Sequence, residues 1–128
     1  MNENHTESEV SMEDIKDCAI NVDGEDIIIV KGEYSNNHSL CIHSFHKNGF
    51  PYSYISTQSA DDVELEPNQI FINDDLILHD KKLVDAFIEK YAVIPDDGKF
   101  HEVVINSRLG IKAIKVTLKN LDKMKTWR

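Results

Sequence analysis

Four β-branched residues in a row, Ile27-Ile28-Ile29-Val30, leave residues 26–34 little alternative to a β-strand. Such side chains lose rotamer freedom against a helical turn and pack well on a pleated surface. Turn chemistry brackets the run, with Asp23-Gly24 before it and Ser35-Asn36-Asn37 after it. Residues 39–46 then alternate, with Leu40, Ile42 and Ser44 on one side and Cys41, His43 and Phe45 on the other. Asn48-Gly49 follows, a pair that readily takes the positive φ values of a two-residue hairpin turn, which makes residues 51–57 the return strand. Strands joined by turns this short pair antiparallel, because a parallel pair needs a long crossover.

Residues 58–67 carry Asp61, Asp62, Glu64 and Glu66 around Val63 and Leu65 and read as an exposed loop. A fourth strand over residues 69–73 ends in Asn73-Asp74-Asp75, residues that favour turns and helix starts. From about 80 to 92, Leu83, Val84, Phe87, Ile88 and Tyr91 recur on one helical face and Lys81, Lys82, Asp85, Glu89 and Lys90 on the other, which predicts the main helix. Pro95-Asp96-Asp97-Gly98 terminates it, and residues 99–105 and 111–118 supply a fifth and a sixth strand joined through Arg108-Leu109-Gly110.

Hairpins rather than regular βαβ alternation predict an α+β fold, an antiparallel sheet of five to six strands packed on one face against that helix. The other face needs a cover from an N-terminal helix, the C-terminal segment or another chain. Ser11 with Asp14 three places on, and Ile15, Cys18 and Ala19 at helical spacing, are compatible with a short N-terminal helix. Residues 1–10 lack apolar periodicity and are expected as a disordered acidic tail, and residues 11–119 as a single domain. Residues 120–128 are expected as a basic C-terminal tail, in which Leu121, Met124 and Trp127 fit one further helical turn.

A chain of 128 residues that is 41% hydrophobic can bury one core and has no room for a second. Its net charge of -9 is unevenly placed. Residues 1–26 carry nine acids and one base, residues 27–98 twelve acids and five bases, and residues 99–128 two acids and eight bases. DNA and anionic membranes would be repelled by most of this surface, and phosphate is electrostatically welcome only near the C-terminus. No segment approaches the roughly 20 apolar residues of a membrane-spanning helix, and the acidic start is unlike a signal peptide, so a cytoplasmic location is expected. Cys18 and Cys41 belong to no CxxC pair and read as reduced thiols packed as small apolar groups, with a disulfide the lesser alternative.

Three constellations bear on chemistry. Cys41-x-His43-x-x-His46 offers thiolate and imidazole suited to zinc, but His46 lies on the opposite strand face unless a bulge intervenes, and a fourth ligand, His38 or His101, has no spacing to support it. Ordinary strand packing is the competing explanation, and no metal or cofactor is expected. Asp61, Asp62, Glu64 and Glu66, with the pairs Asp74-Asp75 and Asp96-Asp97, lack the Gly and bidentate Glu of a calcium loop. Solvated turn carboxylates explain them equally well. Spaced over loops and helix starts, they also suit occupation of a basic groove in a nucleic-acid enzyme. Lys112, Lys115, Lys119, Lys123, Lys125 and Arg128, with Trp127, form a basic stretch with some capacity for nucleic acid, or a solvated face that offsets the acidic remainder. There is no GxSxG, no Gly-rich phosphate loop before a helix and no Cys–His pairing that the sequence alone marks as nucleophile and base, so an enzyme is not expected.

Asn37-His38-Ser39-Leu40 entering a strand, the Asn-Gly turn followed by Pro51-Tyr52, Ile70-Phe71-Ile72-Asn73 and the helical residues 83–89 together carry a likeness. Over residues 32–118 the chain resembles a family of small uncharacterised domains encoded on conjugative elements and phages of gut-type bacteria. The resemblance lies in pattern rather than invariant motifs. It implies a mobile-element origin and an α+β fold, and brings no site residues. With the charge and the missing catalytic motifs, it leads to the expectation of a non-catalytic module that inhibits a host defence protein, of anti-CRISPR or anti-restriction type, through Asp61, Asp62, Glu64, Glu66, Asp74, Asp75, Asp96 and Asp97 as an acidic nucleic-acid mimic. An immunity or antitoxin-like protein and a nucleic-acid-binding accessory protein using the basic stretch are the alternatives. The expected partner is a host nuclease or effector with a basic surface, with no membrane contact and no direct nucleic-acid binding, the chain itself being a monomer or homodimer.

Overall fold

The computed structural model describes residues 17–126. Along the chain run β1 (Ala19–Val22), β2 (Glu25–Glu33), β3 (Leu40–His46), β4 (Pro51–Tyr54), β5 (Gln69–Asn73), α1 (Asp74–His79), α2 (Lys81–Tyr91), β6 (His101–Asn106), β7 (Ile111–Thr117) and β8 (Lys125–Thr126). Strands β1 to β4 pair antiparallel in chain order, and β8 lies parallel to β2 on the edge that β1 leaves open. Strands β5, β7 and β6 form a second antiparallel sheet with β7 in the centre.

The fold is therefore α+β, but the expected single sheet of five to six strands is corrected to eight strands in two sheets, with the helices α1 and α2, helical residues at 17–18 and a 3-10 turn over Leu121–Lys123 among the described residues. The six strands read from sequence are all present. The additions are β1 and β8. Asp23 and Gly24 both take positive φ, 55° and 90°, and fold residues 19–22 back onto β2 so that Ile20 and Val22 point into the core. Asp17 and Cys18 are helical, as their spacing suggests, and the pairing with β2 takes over from Ala19. The remainder of the anticipated N-terminal helix, residues 11–16, and the acidic tail of residues 1–10 lie outside the described residues.

The sheet divides because residues 51–57 are not one strand. Ile55 and Ser56 both donate their N–H to Ile42 O, at 2.9 and 3.2 Å, and Thr57 N donates instead to Phe71 O at 3.0 Å. This bend carries the chain from β3 to β5. The preceding turn also differs from expectation: Gly49 N donates to His46 O at 2.9 Å and only Gly49, at φ 95°, is left-handed. It is a three-residue hairpin loop, with Asn48 Oδ1 accepting from Phe50 N at 3.0 Å instead of Asn48 adopting positive φ.

One core lies between the inner faces of both sheets and α2. Ile27, Ile29 and Ile42 from the first sheet and Ile70, Ile72 and Val116 from the second meet Leu83, Val84, Phe87 and Tyr91 of the helix. The helical stripe is the one read from the sequence. Its start is set by Asp80, which ends α1 and whose carboxylate accepts from Leu83 N at 3.3 Å and from Tyr52 OH at 3.1 Å. Met124 is buried in the same core, so residues 120–126, anticipated as a basic tail, are part of the packed body. Lys31 Nζ donates to Leu121 O at 2.9 Å and Asn120 Nδ2 to Lys90 O at 2.8 Å, which ties that segment to β2 and α2.

Candidate partner-binding surface

Residues 58–67 are not a free loop. Val63 and Leu65 pack on Phe71, Ile105 and Ala113 and cover the outer face of the second sheet. Ala60 N and Asp61 N donate to Ile105 O at 2.7 and 3.2 Å, and Ser107 N donates to Asp61 Oδ2 at 2.8 Å. At the far end Gln69 N donates to Glu66 O and Glu66 N to Gln69 Oε1, both at 3.0 Å, where Gln69 pairs with Thr117. The segment thus runs the length of β7, about 20 Å for seven residues. With two apolar residues turned inward, Asp61, Asp62, Glu64 and Glu66 are all exposed.

The other anticipated acids divide between the two ends of this sheet. Asp74 and Asp75 open α1 beside Gly110 and Lys112, at the end where Asp61 is fastened. Asn73 Oδ1 accepts from Asp75 N at 2.7 Å, the capping that its sequence context suggests. Asp96 and Asp97 sit at the opposite end, since Val93 N donates to Thr117 O at 2.8 Å just before them. Asp97 Oδ1 accepts from Lys99 N at 3.0 Å and serves the turn. Six of the eight acids therefore lie along the outer face and at the β6–β7 end, and Asp96 and Asp97 are apart from Asp74 and Asp75.

Sequence reasoning missed Glu102. Burial, and then hydrogen bonding and repulsion from Glu102, raise the Asp74 carboxyl from 3.8 to about 6, against the opposing pull of Lys112. Only the strand register, which sets Glu102 opposite Ile114 and Asn73 opposite Ala113, reveals that these carboxyls are neighbours.

Cys41 and His43 share the outer face of the first sheet as expected, and His46 faces the other way, where it contacts Glu25. His38 stands 3.3 Å from Glu33, and His101 belongs to the other sheet. Among the described residues no three His, Cys, Asp or Glu side chains come together as a metal-holding group. His43 is instead packed between rings, stacked on Tyr54 at 3.9 Å and 8° and tilted against Phe45 at 4.4 Å, and burial lowers its pKa. Beside it opens a groove of about 510 Å³ whose walls include Val30, Tyr34, Cys41, His43 and Tyr54, with Glu33 at its edge. Tyr34 OH and Ser56 Oγ are 2.8 Å apart, Ser56 Oγ accepts from Ile42 N at 2.8 Å, and burial pushes the Tyr34 phenol up to about 12. Alternation in β3 placed Cys41 and His43 together, but nothing in the sequence marked Tyr34 and Tyr54 as their neighbours.

The described basic residues do not form one stripe, and Trp127 and Arg128 lie outside the described residues. Lys112 and Lys115 point to opposite faces of β7 by strand alternation, Lys112 lies 4.0 Å from Glu102, and Lys125 belongs to the first sheet beside Val30. Among the described residues no helix is long and apolar enough to cross a membrane. Comparison of the chain with protein-family models, with curated proteins and with solved structures found no match.

Proposed function

We propose that this chain is a non-catalytic protein-binding module of a phage or other mobile element, which inhibits a host defence nuclease or effector by occupying its basic surface with carboxylates. The observation that carries the reading is the anchoring of residues 58–67 by Val63 and Leu65, which holds four exposed acids along one sheet face. Carboxylates ordered in advance bind a cationic surface without the entropy cost that a mobile loop would incur on docking. The charge supports the same reading, since residues 1–98 carry 21 acids and six bases. Such a field speeds encounter with a basic partner and makes the complex salt-sensitive. The sequence resemblance to mobile-element domains supplies the biological setting, and the dispersal of the lysines favours this reading over nucleic-acid binding.

The test is affinity capture with the full chain from a bacterial lysate at low and at moderate salt, read by mass spectrometry. One enriched basic nuclease or effector, lost as salt rises, is the expected result. Recovery of nucleic acid with no protein partner would overturn the proposal in favour of the accessory reading. An enriched toxin encoded beside this chain would assign the same surface to an immunity protein.

A further inference from the structure

We propose that the outer face of the first sheet binds a mononucleotide, its base in the aromatic groove and its phosphate against Lys47 and Lys125. Two openings adjoin on that face. The groove of about 510 Å³ and a smaller recess of about 200 Å³ share Val30, and the recess runs past Ile28 and Phe45 to Lys47 and Lys125. The strand register sets Ile28 opposite Phe45, Val30 opposite His43 and Gly32 opposite Cys41, so the openings follow one another along β2 and β3. Successive rows on one face of a sheet are about 7 Å apart. Lys47 comes from the hairpin loop after β3, and Lys125 from β8, where it pairs beside Val30. The site is separate from the acidic segment, which covers the second sheet.

The two openings together select the occupant. Glu33 alternates with Lys31 onto the opposite face of β2 and pairs with His38 at 3.3 Å, so its carboxylate turns away from the groove. What lines the groove is the rings of Tyr34 and Tyr54 over a floor kept low by Gly32, with Ser35 and Cys41 as polar neighbours. Tyr54 is 57% exposed while stacked on His43. A nucleobase has flat π faces and a polar edge, which suits rings and polar groups in one groove. The recess supplies the opposite chemistry. Its lysines are Lys47, exposed, and Lys125, half-buried, and its one imidazole, His46, contacts Glu25. Two ammonium groups attract a phosphate and repel a cationic ligand. The net charge of -9 opposes a long polyanion far more than a single phosphate, which favours a free mononucleotide over a strand.

The experiment is an NMR titration of the full chain with AMP, with adenosine, inorganic phosphate and a short oligoadenylate as comparators, on wild type, Lys47→Gln and Tyr54→Ala. Expected with AMP are amide shifts at Gly32, Cys41 and Tyr54 together with Lys47, Gly49 and Lys125. Adenosine should move the first group alone and bind more weakly than AMP. Lys47→Gln should weaken AMP about two- to fivefold, the size of one exposed charge contact, and leave adenosine unchanged. Tyr54→Ala should weaken both about fivefold or more, the size of one base stack. Lys47 is exposed in a loop, so Lys47→Gln keeps the test valid even where Tyr54→Ala disturbs the stack on His43. No shifts in either opening, equal affinity for AMP and adenosine, or inorganic phosphate binding as tightly as AMP overturns the inference. The oligoadenylate should bind no more tightly than AMP; tighter binding at the same residues would sustain the base-and-phosphate site and assign it to a strand. No protein partner enters the titration, so its outcome is independent of the lysate capture.

Discussion

Leu65→Ala separates an anchored acidic segment from a solvated loop. Leu65 is half-buried over Phe71, Ile105 and Ala113. Truncation removes roughly three methylene equivalents, each worth about 0.8 kcal/mol when fully buried, so at half burial the loss is about 1.2 kcal/mol. The site opens to solvent and collapses readily, which keeps any cavity penalty small. Urea unfolding should show the midpoint falling by that free-energy loss divided by an unchanged slope, since the same surface is exposed on unfolding. Glu64→Ala, one residue away and pointing outward, should stay within about 0.5 kcal/mol of wild type. Amide exchange gives a local readout, because the N–H groups of Ala60 and Asp61 are bonded to Ile105 O and should lose protection in Leu65→Ala alone. Equal stability and equal protection in the two variants would refute the anchoring argument.

Met124→Ala should cost about 2–4 kcal/mol in denaturant unfolding, as for a buried Met truncation, and an effect below about 0.5 kcal/mol would return residues 120–126 to the status of a tail. Tyr91→Phe removes a buried 2.8 Å hydrogen bond to Cys18 O, so a loss of about 1 kcal/mol is expected by the same assay. Asp74 titrates at about 6 in the fold against 3.8 ordinarily, so its contribution to stability is complete below 3.8 and is lost as pH rises through about 6. Asp74→Asn should therefore raise the melting temperature at pH 7 and gain little at pH 4. Its partial exposure limits the gain to about 1 kcal/mol, a few degrees, and an equal gain at both pH values would contradict the Asp74–Glu102 coupling.

Local chemistry made much of this fold legible. Ile27 to Val30, the Leu83 to Tyr91 stripe and the Asp23-Gly24 and Asp97-Gly98 turns each state their element within a few residues, and the structure agrees with them. What stayed hidden depends on pairing at long range. Residues 19–22 become a strand because β2 receives them, and Lys125 and Thr126 because Val30 and Lys31 remain unpaired beside β1. The division into two sheets turns on the shared acceptor Ile42 O, which no pattern in residues 51–57 discloses. At the site, the acids of residues 61–66 were visible but their support was not, because the apolar surface that receives Val63 and Leu65 comes from Phe71, Ile105 and Ala113. The groove was hidden for the same reason, its rings coming from β3, β4 and Tyr34 just beyond β2. One practical consequence follows for the nucleic-acid alternative: truncation after Asn120 would remove Met124 and β8 from the core, so lost binding in that variant would report unfolding.

The central claim is that exposed acids of an anchored segment bind a basic partner, and its most direct measurement is side-by-side capture from one bacterial lysate by wild type and by the quadruple variant Asp61→Asn, Asp62→Asn, Glu64→Gln, Glu66→Gln. All four side chains are exposed, and Asp61→Asn keeps an amide oxygen able to accept from Ser107 N, so the variant should fold with a stability within about 1 kcal/mol of wild type. The account predicts that wild type retains a basic protein at low salt and that the variant loses it. Retention of the same protein, in the same amount, by both would contradict the account.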